Sequence, residues 1–264
     1  MSAGAPIITA SAAVTSVGMR RDHNEDAFLE SAPLFLVADG MGGYEAGEVA
    51  SAAAIGAFGS LVGRPCLDIS ELREAYKTAG ENVMAVGSGG RRSAGTTLAG
   101  VAISQNQGAG YWLVVNVGDS RTYRYAGGKL EQISVDHSLV QEMIDAGELS
   151  VEEAAGHQSR NVVTRALGAG IVSDADFWMI PAAVGDRMLV CSDGLTGELS
   201  DAQIERVLAE ASTPRRTAQA LVDAANAHGG RDNVTVVIVD AVAVSRADDV
   251  DGDTIPREHS EVRS

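Results

Sequence analysis

Short apolar runs broken by glycine and aspartate set the rhythm of this chain. Leu34 to Ala38 reads as a buried strand. It runs into Asp39, and the backbone then turns through Gly40, Gly42 and Gly43. The same order recurs where Met188 to Cys191, a second strand, meets Asp193 and Gly194. It appears reversed where Asp232 precedes the strand Val234 to Val239. A carboxylate at the end of a buried strand is costly unless something pairs with it. Glycine beside it lets the main chain approach a bound group closely. If neighbouring strands run antiparallel, the end of one lies beside the start of the next. Three carboxylates would then converge on one point, and the natural occupant of such a point is a metal cation.

The remaining pattern predicts further elements in order. Ile7 to Thr15 has strand character, and a charged loop with Arg20, Arg21, Asp22, Glu25 and Asp26 follows it. The small-residue stretch from Glu48 to Val62 predicts a closely packed buried helix. A second helix is predicted from Glu71 to Val86, with Ser70 as its cap and Arg73 and Lys77 facing water. The glycine-rich loop of residues 87–95 leads to a strand from Thr96 to Ser104, then another from Tyr111 to Val117 ending in Gly118 and Asp119. Arg121 to Ser134 reads as a hairpin turning at Gly127 and Gly128. The stretch from Asp136 to Gly168 has helical texture broken by Gly147 and Gly156, with a capping box of Ser150 and Glu153. It reads as a mobile insert over the sheet. Strands resume near Ala175 to Ile180. Two helices follow, one opening on a box of Ser200 and Gln203, the other on Thr213 and Pro214 and closing at Gly229 and Gly230. The last strand is Val234 to Val242. Residues 245–264 are polar, without apolar periodicity, and read as a disordered tail. Hairpin connections with helices gathered in pairs predict a largely antiparallel α+β fold, with the helices near Ala50 and Leu221 covering outer sheet faces.

Composition narrows the function. A chain of 264 residues with 45% hydrophobic residues has a full core. A formal net charge of −16 argues against nucleic acid or an anionic membrane as partner. It also requires local positive charge to draw in an anionic substrate. Two separated cysteines, Cys66 and Cys191, predict a reduced, cytoplasmic protein without a disulfide framework. No apolar run is long enough to span a bilayer.

The candidate ligands are Asp39, Asp193 and Asp232, with Glu25, Asp26 and Asp119 as additions. All are hard oxygen donors without a histidine or cysteine cluster, which suits Mg²⁺ or Mn²⁺ better than zinc. Each aspartate alone is an ordinary turn residue at a strand end; four such sites on separate apolar runs are a poorer coincidence. Paired cations would suppress repulsion among the acids and hold a water between them, lowering its pKa from 15.7 toward ~7, less for magnesium than for zinc. That arrangement suits in-line attack on phosphorus. Arg21, upstream of Asn24-Glu25-Asp26, is placed to bind two phosphate oxygens.

These stretches also resemble a known family. RRDHNEDAF, VADGMGGYEAGEVAS, SAGTTL, VNVGDSRTYRY, VDHSLVQEMIDAGEL, RNVVTRALG, LVCSDGL and RDNVTVV are similar, in order from about Ser16 to Val239, to the motif series of bacterial metal-dependent Ser/Thr protein phosphatases of type 2C. The resemblance implies a four-layer αββα sandwich of two antiparallel sheets flanked by helix pairs, over residues 1–244, with a flap at about 136–168. It implies two Mn²⁺ or Mg²⁺ ions. Asp39 resembles the carboxylate bridging both, and Gly40 the carbonyl donor to one. Asp193 and Asp232 resemble the remaining ligands of one ion; Glu25 resembles the acid reaching the other through water, oriented by Asp26. Asp119 resembles a ligand of a third, weaker site shared with Asp193. Arg21 resembles the phosphate-binding arginine, and Asn233 follows Asp232 as in the family. Eukaryotic members carry a histidine where this chain has Met41, so the proton donor to the leaving group is unassigned by the motif. His137 and His157 are weaker catalytic candidates; His23 and His228 read as structural or solvent-facing.

Other constellations fail. The glycines after Asp39 lack the third glycine of a dinucleotide loop, the 87–95 loop lacks the lysine of a phosphate-binding loop, and Gly118-Asp119-Ser120 is no hydrolase elbow. Cys191 reads as core packing. The expected function is therefore a cytoplasmic, monomeric protein phosphatase hydrolysing phosphoserine or phosphothreonine in one step. Its expected partners are phosphorylated proteins, including a Ser/Thr kinase or that kinase's targets. A catalytically weak phosphoprotein-binding regulator on the same scaffold is the alternative from another class; the same chemistry in a stress pathway is a third reading.

Overall fold

The computed structural model describes residues 4–42, 46–88, 94–154, 156–168, 174–210 and 212–246. Gly43, most of the 87–95 loop and the tail beyond residue 246 therefore lie outside the described residues.

Strands β1 (Ile7–Ser16), β2 (Asp26–Ser31) and β3 (Leu34–Met41) lead into α1 (Ala46–Gly56), a 3₁₀ turn (Gly59–Leu61) and α2 (Ile69–Ser88). Then come β4 (Gly95–Thr96), β5 (Leu98–Asn106), β6 (Ala109–Val117), β7 (Arg121–Ala126) and β8 (Lys129–Gln132). Two short helices, α3 (Leu139–Asp145) and α4 (Val151–Ala154), lie in the insert. β9 (Asp176–Pro181), β10 (Arg187–Cys191), α5 (Asp193–Thr196), α6 (Asp201–Glu210), α7 (Pro214–His228) and β11 (Val234–Val244) complete the chain. One sheet has the order β1-β11-β10-β7-β8, the other β2-β3-β5-β6-β9 with β4 beside β3. The pairings are antiparallel throughout.

The central strands are continuous apolar runs because both of their faces are buried. In β3, Leu34, Leu36 and Ala38 pack outward with Ala50, Ala54, Leu72 and Ala79 of α1 and α2. Phe35 and Val37 point the other way, into a core shared with Met188, Val190, Val237 and Val239 of the facing sheet. On that sheet the outward residues Leu189, Cys191, Val236 and Ile238 meet Leu221, Val222 and Ala225 of α7. The layers are thus helix, sheet, sheet, helix, and the α+β sandwich is as expected. The small residues of α1 allow its backbone to close on the sheet: Ala50 and Ala54 are fully buried.

Several local expectations need correction. The helix opening at Ile69 is capped by Asp68, not Ser70. The Asp68 carboxylate accepts from the N–H groups of Ser70 and Glu71, while Glu71 accepts from Asp68 N–H, a reciprocal box. Arg73 does not simply face water; its guanidinium lies 5.2 Å from the Phe177 ring centroid. Asp26 begins a strand that the charge density of its loop concealed. The run from Thr96 is split at Thr97, and an extra short helix, α5, starts at Asp193. The Ser150–Glu153, Ser200–Gln203 and Thr213 caps form as predicted.

Candidate metal centre

The antiparallel registers bring the acids together at one edge of the sandwich. Asp26 pairs with Asp39 across β2 and β3. In the other sheet, Cys191 pairs with Val236, which puts Asp193 and Asp232 at the same strand ends. Hydrogen bonds join the two sheets here. Ser192 Oγ donates to Asp26 Oδ2 at 2.8 Å and accepts from Thr235 N–H at 2.9 Å. Arg21 Nη2 donates to Asp232 Oδ2 at 2.7 Å. The Asp193 and Asp39 carboxyls lie close enough for each to act on the other.

Glycine sits where backbone meets backbone. A Cβ on Gly40 would stand 2.2 Å from the Gly47 carbonyl oxygen and 2.5 Å from that of Glu25. One on Gly194 would stand 1.9 Å from the Asn233 carbonyl oxygen. Each Asp-Gly pair therefore lets a second acid-bearing segment close on the first. Thr97 fixes Asp39 itself: Asp39 N–H donates to Thr97 Oγ1 at 3.0 Å, and Thr97 N–H donates to the Asp39 carbonyl at 2.9 Å. Thr97 Oγ1 also lies 2.7 Å from Ser120 Oγ, beside Asp119.

The acids are mutually destabilising. Burial, then the neighbouring charges of Asp26, Asp193, Asp119 and Asp232, push the Asp39 carboxyl well above its ordinary range. Burial raises Asp26 to about 7 and Asp119 to about 7, with Asp193 adding to both. Asp193 is raised by burial and Asp232, and Glu25 chiefly by burial. Arg21 is the cation in direct contact; partial desolvation opposes its charge, and Asp232, Glu25 and Asp39 together outweigh it. Asp26 Oδ1 is buried with no hydrogen-bond partner. Among the described residues no trio of His, Cys, Asp and Glu side chains stands at closed metal-ligand spacing. The strain shows instead as repulsion. Clustered hard-oxygen donors, an orphaned carboxylate oxygen and a deficit of cations together fit divalent ions.

Several contributors had no structural role legible in the residue pattern. Asn233 accepts from Glu25 N–H at 2.8 Å and donates to the carbonyls of Val17 at 3.0 Å and His23 at 2.8 Å, so it organises the loop carrying Arg21 and Glu25. Glu198, its side chain 3% exposed, accepts from Arg231 N–H and Nε and so ties the Asp193 helix to the Asp232 loop. Asn233 stands in the RDNVTVV stretch beside Asp232, whereas nothing along the chain marked Glu198. Among the histidines, His137 is buried, His157 Nδ1 accepts from Ser159 N–H, His228 bonds Gln203 and Ala224, and His23 is exposed. Met41 is partly exposed beside Gly95 and carries no transferable proton.

A profile of the family described as Protein phosphatase 2C matches residues 17–227. The chain belongs to the protein phosphatase 2C family. It is similar to the serine/threonine phosphatase stp of Listeria monocytogenes, 33% identical over 239 residues, covering 86% of this chain and 93% of that protein. It is also similar to the crystal structure of the Mycobacterium tuberculosis serine/threonine phosphatase PstP/Ppp, with a TM-score of 0.82 at 36% identity, covering 89% of this chain and 99% of that one. A structure of the catalytic domain of PstP in complex with two manganese ions matches with a TM-score of 0.80 at 35% identity, covering 90% of this chain and 100% of that one. No helix among the described residues is long and apolar enough to cross a membrane.

Proposed function

We propose that this chain is a metal-dependent protein serine/threonine phosphatase of the cytoplasm, acting as a monomer on phosphorylated proteins, a Ser/Thr kinase or its targets among them. The catalytic domain is taken as residues 1–244, with the flap at 136–168 and a tail outside it. The observation that carries the reading is the convergence of Asp39, Asp193, Asp232, Glu25, Asp26 and Asp119 at one sheet edge beside Arg21.

In this reading Asp39, the Gly40 carbonyl, Asp193, Asp232 and Glu25 would hold two Mn²⁺ or Mg²⁺ ions. Asp119 and Asp193 offer a weaker third position. When bound, the ions offset the carboxylate charge, bind the phosphate and acidify the water that attacks phosphorus. Arg21 has a half-exposed guanidinium, and Asp232 orients it so that its remaining N–H groups face an incoming phosphate. Asp26 keeps one oxygen on Ser192, and its other oxygen is buried without a partner. Water attacks phosphorus in line, the phosphorus–oxygen bond to the serine or threonine breaks, and no phosphoenzyme forms. Because Met41 donates no proton, the departing alkoxide takes one from water.

Asp39→Asn and Asp193→Asn test the reading through Mn²⁺-dependent hydrolysis of an aryl phosphate and of a phosphothreonine peptide. Losing even an outer partner of a metal site costs about 10–100-fold, so each ligand change should cost about a hundredfold or more with the fold retained by circular dichroism. Full activity in either variant removes that residue from the ligand set.

A further inference from the structure

The flap begins against the turn that carries Asp119, and the contact there is unusually complete. Gly118 has φ 103°, a conformation that disfavours any other residue, and a Cβ there would stand 2.5 Å from the Thr97 side chain. The Gly118 N–H donates to His137 Nδ1 at 3.2 Å, and the His137 N–H donates to the Gly118 carbonyl at 2.9 Å. One residue therefore holds both sides of Gly118, immediately before Asp119. The ring is 5% exposed.

An Nδ1 that accepts a hydrogen bond leaves the proton of a neutral imidazole on Nε2. Nε2 lies 3.0 Å from Asp176 Oδ2, a suitable acceptor at the start of β9. Arg165 stands 3.6 Å from the other Asp176 oxygen; its 3.4 Å approach to Nε2 is a contact rather than a hydrogen bond, because Nε2 already carries a proton. Thr164 N–H donates to the His137 carbonyl at 2.8 Å, tying in the returning arm of the flap. On the other side of Asp119, Arg121 makes a bidentate pair with Asp136, the neighbour of His137.

We infer that His137 is a positioning residue for Asp119: its Nδ1 imposes the Gly118 turn that presents the Asp119 carboxylate, and Asp176 holds the ring in the tautomer this requires. His137 touches neither substrate nor reacting atoms. The inference rests on the proposed role of Asp119 as a ligand of the weaker third ion.

Two substitutions separate the ring's halves. His137→Asn keeps an acceptor oxygen near the Nδ1 position and loses the link to Asp176. His137→Gln keeps a donor near the Nε2 position and loses the acceptor for Gly118. Full-length wild type, both variants and Asp119→Asn are titrated with Mn²⁺, free ion is followed by electron paramagnetic resonance, and thermal midpoints are recorded in parallel. Asp119→Asn should abolish the weakest Mn²⁺ site. His137→Gln should weaken that site by about tenfold, and His137→Asn should stay within about twofold of wild type. A lowered midpoint in His137→Gln with unchanged Mn²⁺ affinity would overturn the inference, since a packing role alone gives that result. Equal weakening in both His137 variants would overturn the acceptor role of Nδ1. Unchanged Mn²⁺ binding in Asp119→Asn would sink the ligand assignment itself, and the inference with it. Asp176 is half-exposed, so Asp176→Ala serves if His137→Gln does not fold; it should weaken the same site, and unchanged affinity there would count against the tautomer argument.

Discussion

Asn233→Ala is the sharpest probe of how the site is held. The side chain belongs to a residue 4% exposed and makes three hydrogen bonds, one from Glu25 N–H and two to the Val17 and His23 carbonyls. Each is worth about 1 kcal/mol net, so truncation should cost about 3 kcal/mol. Water entering from the exposed face of the loop would reduce the figure toward ~2 kcal/mol, whereas unrelieved burial of the freed groups would raise it toward ~4 kcal/mol. The loop also carries Arg21 and Glu25, so function should fall with stability. Urea denaturation monitored by circular dichroism gives the first quantity. Steady-state hydrolysis of a phosphothreonine peptide at saturating Mn²⁺ gives the second, with an expected loss of about tenfold in kcat/KM, equivalent to about 1.4 kcal/mol. A stability change below about 0.5 kcal/mol together with unchanged kcat/KM would refute the reasoning, because surface substitutions of no structural consequence fall in that range.

Three further outcomes follow from the same geometry. Arg21→Ala should raise KM for a phosphopeptide more than it lowers kcat, and unchanged values of both would remove Arg21 from phosphate binding. Gly194→Ala should destabilise the chain by several kcal/mol, since its new Cβ would stand 1.9 Å from the Asn233 carbonyl oxygen and backbone cannot rotate away; a thermal midpoint equal to wild type would contradict that packing. In chelator-treated protein, Asp26 and Asp119 hold protons up to about 7 against 3.8 for a free aspartate. The folded chain then binds more protons than the unfolded one, so this contribution is complete below about pH 4 and lost as pH rises through about 7. Thermal midpoints of the cation-free protein should fall from about pH 5 to about pH 8, Mn²⁺ should restore most at the higher pH, and Asp26→Asn should flatten the slope. A midpoint independent of pH in the chelated protein would show that the acids do not repel one another in the fold.

The apolar runs at Leu34, Met188 and Val234, each with its aspartate and glycine, were legible in the chain because strand burial and Asp-Gly turns are local in their chemistry. So were the hard-oxygen character of the donors and the helix caps at Ser150, Ser200 and Thr213. The sequence pattern led equally to a family resemblance that the profile and structural matches bear out. Local pattern hid the strand at Asp26, because its charged loop looks solvated until the partner Asp39 is beside it. It misassigned the cap at Ser70, because Asp68 and Ser70 are both good caps and only the actual hydrogen bonds choose between them. It could not assign Asn233, Thr97, Glu198 or His137, whose partners lie far away along the chain. Residue types and spacing thus determined which groups were available and which strands would be buried. The tertiary structure alone decided how the acids crowd, because their repulsion and desolvation arise only when antiparallel registers bring distant strand ends to one edge.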